Sequence, residues 1–598
     1  MSKIHVMNEN LANKIAAGEV IERIASVVKE LVENSIDANS KVISVDLVDC
    51  GLKKIKVTDD GIGMDKEDAL LSFQRHATSK IKKEDDLFFI QTLGFRGEAL
   101  ASIASVSKVD LKTSQGSIGT HIVIEGGKLI TNEESDAKKG TTISVKDLFF
   151  NTPARLKYLK SNTTELAGVT SFIERLSLSH PEISFTLTNN EKRIVFTSGS
   201  NDLLKTIHEL FGYVVSSNMI EVNASSDDYD IRGYICKPVV LKSNRNYMLT
   251  FVNDRMVKNI DINKAINEGY RDFKPDIKYP VVVLKIDTDP TLVDVNIHPS
   301  KADIKISKID ELIFMLESMI NKSLRKTLLV QDMKVNTNVS APSVIEKDKN
   351  VLIEASDEVV KSEEQMTFDY TKMTIEEESA HGFSEVQSQV AKQSEDKKIN
   401  EDIKRLELHP VGIIMQTFIV AENEDGLYLI DQHAAHERIN YEKVQKQMKN
   451  AENYKMKILV PLTLEFSPSD YLKVEEHKET LESIGIVFEN FGVNTIVVKE
   501  HPTWLREGME ETLIKQIFDM LIEDSVKFDK MKFLKRVAQT TACKMSIRAH
   551  EVISLDQAKE LLKQLFQCDN PYNCAHGRPT IIHYSEYELD RMFRRIMN

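Results

Sequence analysis

The spacing of apolar residues predicts an ordered, mixed α/β first half of the chain. Between residues 25 and 37, apolar side chains recur every three or four positions, which predicts a helix with one buried face. Alternating apolar and polar residues in 41–48 and 52–57 predict two strands around a turn at 49–51. A second region with both kinds of spacing begins near residue 205.

The pattern weakens at residue 331 and stays weak until about residue 405. Between 331 and 400 the chain carries 15 Asp or Glu and 8 Lys or Arg, a net charge of −7. With so few apolar residues, the segment cannot bury enough surface to offset chain entropy, which predicts a disordered acidic linker. Half of the chain's net charge of −14 lies there, so the global acidity does not exclude a local basic surface elsewhere.

Apolar periodicity returns in the last third of the chain. Segments 412–421 and 427–430 are interpreted as the two strands of a hairpin, and 433–448 as a helix with a polar face. Further helices are predicted at 527–551, at 555–567 and from 586 onward. The chain shows no repeat with a period of about 20 to 50 residues, which argues against a solenoid.

Length and composition limit the class of protein. The 598 residues are enough for three or four domains, and 41% hydrophobic with 28% charged residues is ordinary for a globular protein. No apolar run approaches the roughly 20 residues of a membrane helix, and the N-terminus lacks the apolar segment of a secretory signal. Five cysteines exclude a disulfide scaffold and suit a reducing compartment, so we expect a cytoplasmic protein without a membrane partner.

Three stretches near the N-terminus could form a nucleotide site. Glu30 and Asn34 are four residues apart on the predicted helix, so a base and a metal ligand would point the same way, as would two residues of a solvated face. Asp59-Asp60-Gly61-Ile62-Gly63 follows a strand and is either a ligand-binding turn or a surface turn. The glycines of 94–97 precede a predicted helix and could present amides to phosphate, although no P-loop motif is present.

A second group of residues near the C-terminus has the chemistry of metal ligands. His433 and Glu437 share one helix face, and Asp431 and Glu442 add carboxylates. Further soft or nitrogen ligands come more than 100 residues later: Cys543, Cys574 and His576. An ordinary charged helix explains the first run equally well, but the later cysteine and histidine pair favours a divalent-metal site.

Together these motifs resemble the GHKL ATPases and, within them, the MutL family. The residues that carry the resemblance are Leu11–Val20, Arg75–Lys80, Gly94–Leu100, Phe149–Arg155 and Asp294–Lys301. The resemblance covers about 330 residues and implies an α+β multidomain protein. It implies a GHKL ATPase α/β sandwich at 1–204, a ribosomal-protein-S5-like transducer domain at 205–330, the disordered linker at 331–405, and a mixed α/β dimerisation and endonuclease domain at 406–598.

The resemblance also implies roles in binding ATP and Mg²⁺. Glu30 would activate the hydrolytic water, Asn34 would hold Mg²⁺, Asp59 would bind adenine, and Lys301 would reach the γ-phosphate from the second domain. The remaining nucleotide-binding residues would be Gly61, Gly63, Thr78, Ser79, Lys80, Gly94, Phe95, Arg96, Gly97 and Thr141, with Arg75–Lys80 in a mobile lid. The family usually has proline where this chain has Ile24, which implies only a different entry into the helix.

At the C-terminal end the chain resembles the nicking class of the family. Asp431–Glu442 matches its metal-binding motif, and Cys574–Pro579 matches its second element except that Ala575 replaces a proline. The resemblance implies a DNA endonuclease with Asp431 and Glu437 as catalytic residues. Its Zn²⁺ or Mn²⁺ ligands would be His433, Glu437, Cys543, Cys574 and His576.

The resemblance implies DNA, a mismatch-recognition protein of the MutS type and a second copy of the chain as partners. The replication sliding clamp is a weaker expectation, because the family's glutamine is missing before the apolar run in Met456–Pro461. Arg255 and Lys258 are either contacts to DNA phosphates or solvated charges. The alternative function is an ATP-dependent matchmaker that does not nick DNA and whose C-terminal metal is structural.

Overall fold

The computed structural model describes most of both end regions. It covers residues 21–80, 92–94, 97–275, 278–294, 305–332, 407–450, 454–524, 528–546, 553–593 and 595. The chain divides into two units, one formed by Met1–Asp332 with Leu408–Asn598 and the other by Met333–Glu407. The predicted acidic linker at 331–405 lies, apart from its first two residues, outside the described residues, so its disorder stays a prediction.

The first region is an α/β sandwich built on an eight-stranded sheet. Among the described residues the strand order is β5-β4-β3-β6-β2-β1-β7-β8, antiparallel except for the parallel pair β1 and β7. The strands are β1 (Val42–Val48), β2 (Lys54–Asp59), β3 (Lys108–Ser114), β4 (Gly119–Glu125), β5 (Lys128–Ser135), β6 (Gly140–Lys146), β7 (Ser184–Asn189) and β8 (Lys192–Phe196). The helices are α1 (Ile24–Asp37), α2 (Lys66–Leu71), α3 (Ala99–Val106), α4 (Pro153–Leu156) and α5 (Asn162–Ser179).

The second region is a five-stranded sheet covered by two helices. Its described strands have the order β13-β12-β15-β10-β9. The elements are α6 (Leu203–Ser216), β9 (Met219–Ser225), β10 (Tyr229–Cys236), β11 (Leu241–Lys242), β12 (Met248–Val252), β13 (Arg255–Val257), α7 (Ile260–Gly269), β14 (Tyr279–Pro280), β15 (Val282–Thr288), β16 (Val293–Asp294), β17 (Lys305–Ile306) and α8 (Ile309–Asp332). Helices α7 and α8 pack against each other, and both contribute to the apolar core of this region.

The apolar core of the first region continues into the second. Phe211 from α6 and Leu249 and Val283 from the second sheet belong to the same buried cluster as Leu31 of α1. The domain boundary predicted between residues 204 and 205 falls inside α6, which spans both parts of this cluster. The sequence could not show this, because a helix that joins two sheets has the same apolar spacing as one that ends a domain.

The C-terminal region contains two smaller sheets and a helical layer. Among the described residues the sheet orders are β18-β19-β20-β24 and β21-β23-β22. Its strands are β18 (His409–Ile414), β19 (Phe418–Asn423), β20 (Gly426–Asp431), β21 (Lys455–Glu465), β22 (Val487–Asn490), β23 (Thr495–Pro502) and β24 (Ile581–Ser585). Its helices are α9 (Gln432–Lys449), α10 (Pro468–Glu476), α11 (Lys478–Glu482), α12 (Glu510–Asp524), α13 (Lys530–Met545), α14 (Leu555–Leu565) and α15 (Glu586–Met592).

Two predicted elements of this region are wrong in extent. The single strand predicted at 412–421 is two strands, because Met415 and Gln416 adopt positive φ angles of 51° and 53° and turn the chain back. The helix predicted at 527–551 begins at Lys530 and ends at Met545, since Ser546 is in extended backbone. Apolar spacing detected neither the turn nor this helix end, because no glycine or proline marks either one.

Candidate functional site

Helix α1 presents Glu30 and Asn34 at the edge of the buried core. Its apolar residues Val27, Val28 and Leu31 are buried, whereas Glu30 and Asn34 are only partly buried. Both polar side chains therefore keep access to a ligand, as their spacing predicts.

Lys80 and Asp37 form an ion pair beside Asn34. The Lys80 ammonium donates to Asn34 Oδ1 at 2.9 Å and to Asp37 Oδ2 at 2.5 Å. The Asp37 carboxylate also accepts from the backbone amides of Leu93, at 3.1 Å, and Gly94, at 3.2 Å. Asp37 thus fixes the glycine-containing loop against α1, a role that the sequence motifs do not indicate although Asp37 lies one helical turn after Asn34.

Asp59 lies at the end of β2 with both carboxylate oxygens engaged. Oδ2 accepts from the Ser35 hydroxyl at 2.8 Å, and Oδ1 accepts from the amides of Gly61 at 3.0 Å and Thr141 at 3.2 Å. Burial raises the pKa of Asp59, while these hydrogen bonds oppose that rise. The contacts bring Asp59, Gly61 and Thr141 together, as the nucleotide-site hypothesis requires.

Two glycines of the motifs are required by close backbone contacts. Gly63 has a φ of +68°, and a Cβ there would lie 2.0 Å from the carbonyl oxygen of Ser114. Gly97 has a φ of +62°, and its Cβ would lie 2.5 Å from the carbonyl oxygen of Ala77. These positions explain why glycine recurs in both turns.

The predicted lid, Arg75–Lys80, is described completely, whereas three other predicted nucleotide-binding residues are not. Thr78 and Ser79 are exposed, and the Thr78 hydroxyl accepts from the amide of Lys80 at 3.2 Å. Phe95, Arg96 and Lys301 lie outside the described residues, so their proposed nucleotide contacts stay predictions.

Arg255 reaches the nucleotide region from the second sheet. It lies on β13 and donates to the carbonyl oxygen of Thr92 at 2.5 Å. Burial lowers the pKa of Arg255, and the carboxylates of Glu33 and Asp37 counter that change. Arg255 thus contacts the loop at Thr92, whereas Lys258 is exposed.

The C-terminal candidate ligands converge around Glu437. Among the described residues, His433, Glu437 and Cys543 form one group of potential metal ligands, and Glu437, Cys574 and His576 form a second. Within each group the ligand atoms lie within 4.8 Å of one another. Glu437 lies 3.5 Å from His433 Nε2 through Oε1 and 3.2 Å from His576 Nδ1 through Oε2. One buried carboxylate is thus shared by both groups.

The electrostatics of the cluster reflect this sharing. Burial alone would raise the pKa of Glu437, but hydrogen bonds from Cys543 and His576 outweigh it and lower the pKa. Loss of solvent around the thiol and the adjacent Glu437 carboxylate raise the pKa of Cys543 to about 11. A thiol in this state becomes a good ligand when a divalent cation displaces its proton.

Helices α9 and α13 hold the loop that carries Cys574 and His576. Arg438 donates to the carbonyl oxygens of Asn573 and, at 3.0 Å, Cys574. Gln539 donates to the Ala575 carbonyl at 2.6 Å. The position that the family fills with proline is therefore fixed here by a side-chain contact.

Asp431 and Glu442 have structural contacts that the sequence did not reveal. Asp431 is the N-cap of α9 and accepts through Oδ1 from the amides of His433 and Ala434 at 2.9 and 3.0 Å. Glu442 accepts through both oxygens from the amides of Asp569, at 2.8 Å, and Asn570, at 3.2 Å. The suggestion that Glu442 is a metal ligand is therefore not favoured.

The segment considered for clamp binding lies at an irregularity of β21. The pairing of β21 with β23 shifts between Lys457 and Leu462, and the intervening Leu459 and Val460 are 101% and 82% exposed. The structure thus presents two apolar side chains to solvent at this position, without the usual preceding glutamine.

Known proteins with similar sequences identify the family. Three family models match: a histidine kinase-, DNA gyrase B- and HSP90-like ATPase over residues 21–153, a DNA mismatch repair protein C-terminal domain over 207–325, and a MutL C-terminal dimerisation domain over 411–553. "DNA mismatch repair protein MutL" from Geobacillus sp. is 41% identical, covering 100% of both chains. The chain belongs to the MutL family. The protein of that name from Anoxybacillus flavithermus is 42% identical, again over 100% of both chains.

The family assignment confirms a DNA mismatch repair protein with a GHKL-type ATPase domain and a C-terminal dimerisation domain. A solved structure described as the Aquifex aeolicus MutL ATPase domain complexed with ADP is 28% identical, covering 45% of this chain and 94% of that one, with a TM-score of 0.34. No helix among the described residues is long and apolar enough to cross a membrane.

Proposed function

We propose that this chain is an ATP-switched mismatch repair dimer whose C-terminal region is a metal-dependent DNA endonuclease. The observation that carries the proposal is the shared position of Glu437 in two groups of ligand-type side chains. Those groups are assembled from α9, α13 and a loop more than 130 residues further along the chain. Ordinary surface charge gives no reason for such a convergence of carboxylate, imidazole and thiol.

The side chains fit one or two divalent cations. In each group the ligand atoms lie within 4.8 Å of one another, close to the largest separation of about 4.6 Å that two ligands about 2.0 to 2.3 Å from one zinc ion can have. The thiols and imidazoles of the two groups would suit zinc, and the Glu437 carboxylate, which belongs to both groups, would suit a harder ion such as Mn²⁺. A cation bound there would supply an activated water and stabilise charge on the attacked phosphate.

Asp431 is proposed to serve both the fold and the nicking reaction. Its Oδ1 caps α9 and so holds His433 at the first turn of the helix. We propose that Oδ2 orients the attacking water or receives its proton. The cap itself does not require a carboxylate, because asparagine caps helices equally well, so the two roles can be separated.

For ATP hydrolysis, Glu30 is proposed as the general base and Asn34 as the Mg²⁺ ligand. Asp59, held by Ser35 and Thr141, would recognise adenine. Mg²⁺ would neutralise phosphate charge, and Lys301 would contact the γ-phosphate.

The contact between Lys80 and Asn34 suggests how the lid responds to nucleotide. The Lys80 ammonium now lies against the same Asn34 oxygen that is proposed to bind Mg²⁺. Mg²⁺ bound to that oxygen would repel the Lys80 ammonium and weaken its hydrogen bond. We therefore propose that Lys80 leaves Asn34 when ATP and Mg²⁺ bind, and moves to a phosphate.

The proposed partners follow from the dimerisation domain and from the role of the family. The dimerisation domain supports a homodimer, and the family role supports interaction with DNA and a MutS-type protein. The exposed side chains of Leu459 and Val460 support a proposal that this segment binds the sliding clamp, although the segment lacks the glutamine that usually precedes such a site. The alternative, a matchmaker with a structural metal, predicts the same ATPase and dimer but no nicking of plasmid at any Mn²⁺ concentration.

Replacing Cys574 with serine is expected to lower the amount of zinc bound per chain. The substitution removes a buried thiol from the second ligand group and replaces it with a hydroxyl, which is a poor zinc ligand. Native mass spectrometry of the full chain gives the metal content directly. Cys568→Ser is the matched control, because Cys568 lies outside both groups. Equal zinc in the wild type and in Cys574→Ser would contradict the assignment.

DNA binding is expected to weaken steeply with salt despite the net charge of −14. Half of that charge lies in residues 331–400, so basic surfaces elsewhere remain able to release counterions from DNA. If Lys258 contacts phosphate, Lys258→Ala should lower the slope of log affinity against log salt by about one. Fluorescence anisotropy at several salt concentrations measures this slope, with the exposed Lys66→Ala as control. Salt-independent binding would rule out a phosphate-contact mode.

A further inference from the structure

Helix α10 of the C-terminal region is seated on helix α5 of the ATPase domain. The buried carboxylate of Glu174, on α5, accepts from the Ser469 amide at 2.9 Å and from the Ser469 hydroxyl at 2.7 Å. Leu472, one turn further along α10, packs against the apolar core of the N-terminal region. The contact therefore combines a buried polar pair with apolar packing.

Glu174 completes the N-terminus of α10. The Ser467 hydroxyl caps the helix from within by accepting from the Asp470 amide at 3.3 Å. Glu174 takes the next free amide, that of Ser469, from a different part of the chain. The Glu174 carboxyl group thus supplies an acceptor for an amide that the first turn of a helix leaves without an intrahelical partner. Without α10, the Glu174 carboxylate would lose both of these donors.

Further polar contacts surround this pair. Asp470 is buried and accepts from the Tyr247 hydroxyl and, at 2.8 Å, from Lys473. Ser161 donates to Glu476 at 2.9 Å, and Ser243 donates to Asp519 at 2.7 Å. The interface thus extends from the start of α5 to the segment between β11 and β12, with its buried part at Glu174 and Asp470.

The opposite side of α5 faces the proposed catalytic helix. Val169 and Ile173 of α5 share a buried cluster with Val27 and Val28 of α1. A Cβ added at Gly168 would lie 3.9 Å from the Ala25 side chain, so the two helices are in close contact. Helix α5 therefore lies between α10 and the helix that carries Glu30.

We infer that α10 is a docking element that holds the C-terminal region on the back of the ATPase domain, with Glu174 closing its N-terminus. The inference concerns this chain's own α10 and does not depend on ATP hydrolysis or on nicking. It assigns an interaction surface to residues outside both proposed active sites.

Hydrogen–deuterium exchange of the full chain tests the docking. Glu174→Lys places a cation against a helix N-terminus and should accelerate exchange in the 468–476 peptides at least about tenfold. Ser469→Asp, on the α10 side of the contact, should accelerate exchange in the 167–179 peptides of α5 in the same way. The control Glu191→Lys makes the same charge change at an exposed turn and should leave both sets of peptides unchanged.

A local folding defect is distinguishable from undocking. A defect would raise exchange only in the region that carries the substitution, whereas undocking raises it in both regions for either variant. Unchanged exchange across the interface in both variants would overturn the inference, whatever the ATPase or nicking assays show.

The pH dependence of the contact gives a second measurement. Burial raises the pKa of Glu174 to about 7, with the Ser469 donors opposing the rise, Asp470 adding to it and Arg175 opposing it. Undocked Glu174 would lose its proton near its ordinary pKa of 4.5, whereas docked Glu174 keeps its proton up to about pH 7. Because ionisation therefore costs more in the docked form, docking weakens as the pH rises through 7. Lys473 and the Tyr247 hydroxyl, which bind Asp470, also face this site.

Between about pH 6 and pH 8, protection of the 468–476 peptides should fall about tenfold after correction for intrinsic amide exchange. Glu174→Gln is neutral throughout this range and should remain docked without this pH dependence. Identical pH profiles for the wild type and Glu174→Gln would contradict the assignment of Glu174.

Crosslinking in dimers that each pair one isotopically light chain with one heavy chain identifies which chain supplies α10. A lysine-reactive reagent should join Lys160 to Lys478, since Ser161 contacts Glu476. Crosslinks within one isotopic form support docking within a chain. Crosslinks found only between light and heavy peptides would overturn it in favour of a second copy.

Discussion

Replacing Glu30 with alanine is expected to slow ATP hydrolysis by at least about 10²-fold while ATP still binds. The proposed base would be gone, but the contacts of Asp59 with Ser35 and Thr141 would remain. Single-turnover hydrolysis and equilibrium nucleotide binding, measured on the same protein, separate chemistry from affinity.

Two comparisons sharpen this test. Glu67→Ala removes an exposed glutamate from α2 and should leave turnover unchanged. Asn34→Ala should weaken nucleotide binding as well as turnover, because the proposed Mg²⁺ ligand is lost. Full turnover by Glu30→Ala would remove Glu30 from the catalytic role.

Changing Asp431 to asparagine is expected to reduce Mn²⁺-dependent nicking of supercoiled plasmid by at least about 10²-fold, with ATP hydrolysis largely retained. Asparagine can still accept from the amides of His433 and Ala434, so α9 should keep its start. A loss of nicking would then result from the missing carboxylate charge and not from a displaced helix. Gel analysis of relaxed and supercoiled plasmid measures the effect.

Asp529→Asn is the matched control for this prediction. Asp529 is also an N-cap, and its side chain accepts from the amides of Met531 and Lys532 at the start of α13. The same chemical change at this cap should leave nicking intact. If both variants nick alike, Asp431 loses its catalytic role. If wild-type protein makes no nicks at any Mn²⁺ concentration, the endonuclease proposal fails and the matchmaker alternative takes its place.

Local spacing predicted much of the fold and which candidate residues share a helix face. Glu30 and Asn34 share a helix face, and His433 and Glu437 share another, because residues four apart on a helix point the same way. The convergence of Cys574 with Glu437 came from chemistry and family resemblance, since spacing alone cannot join segments over 130 residues apart. The structure supports that expectation by bringing their ligand atoms within 4.8 Å.

Other features were inaccessible because they depend on tertiary contacts between unrelated segments. The contact of Arg255 with the Thr92 carbonyl links residues 163 positions apart, and neither stands in a recognisable metal or catalytic motif. Glu174 similarly reads as one more polar residue of a helix until Ser469 is placed against it. A buried carboxylate or guanidinium costs free energy unless it has hydrogen-bond or ionic partners, so burial indicates a structural role that the residue type alone does not.

The continuous core beneath α6 has a consequence for how the protein unfolds and evolves. Leu210 and Phe211 of α6, with Val281 and Val283 of the second sheet, are buried in the cluster that also supports α1. The ATPase fold and the second region should therefore melt in one cooperative transition instead of two. A recombination breakpoint at residue 204 would separate partners that are selected together, so exchange between relatives should succeed more often when both parts are inherited as a block.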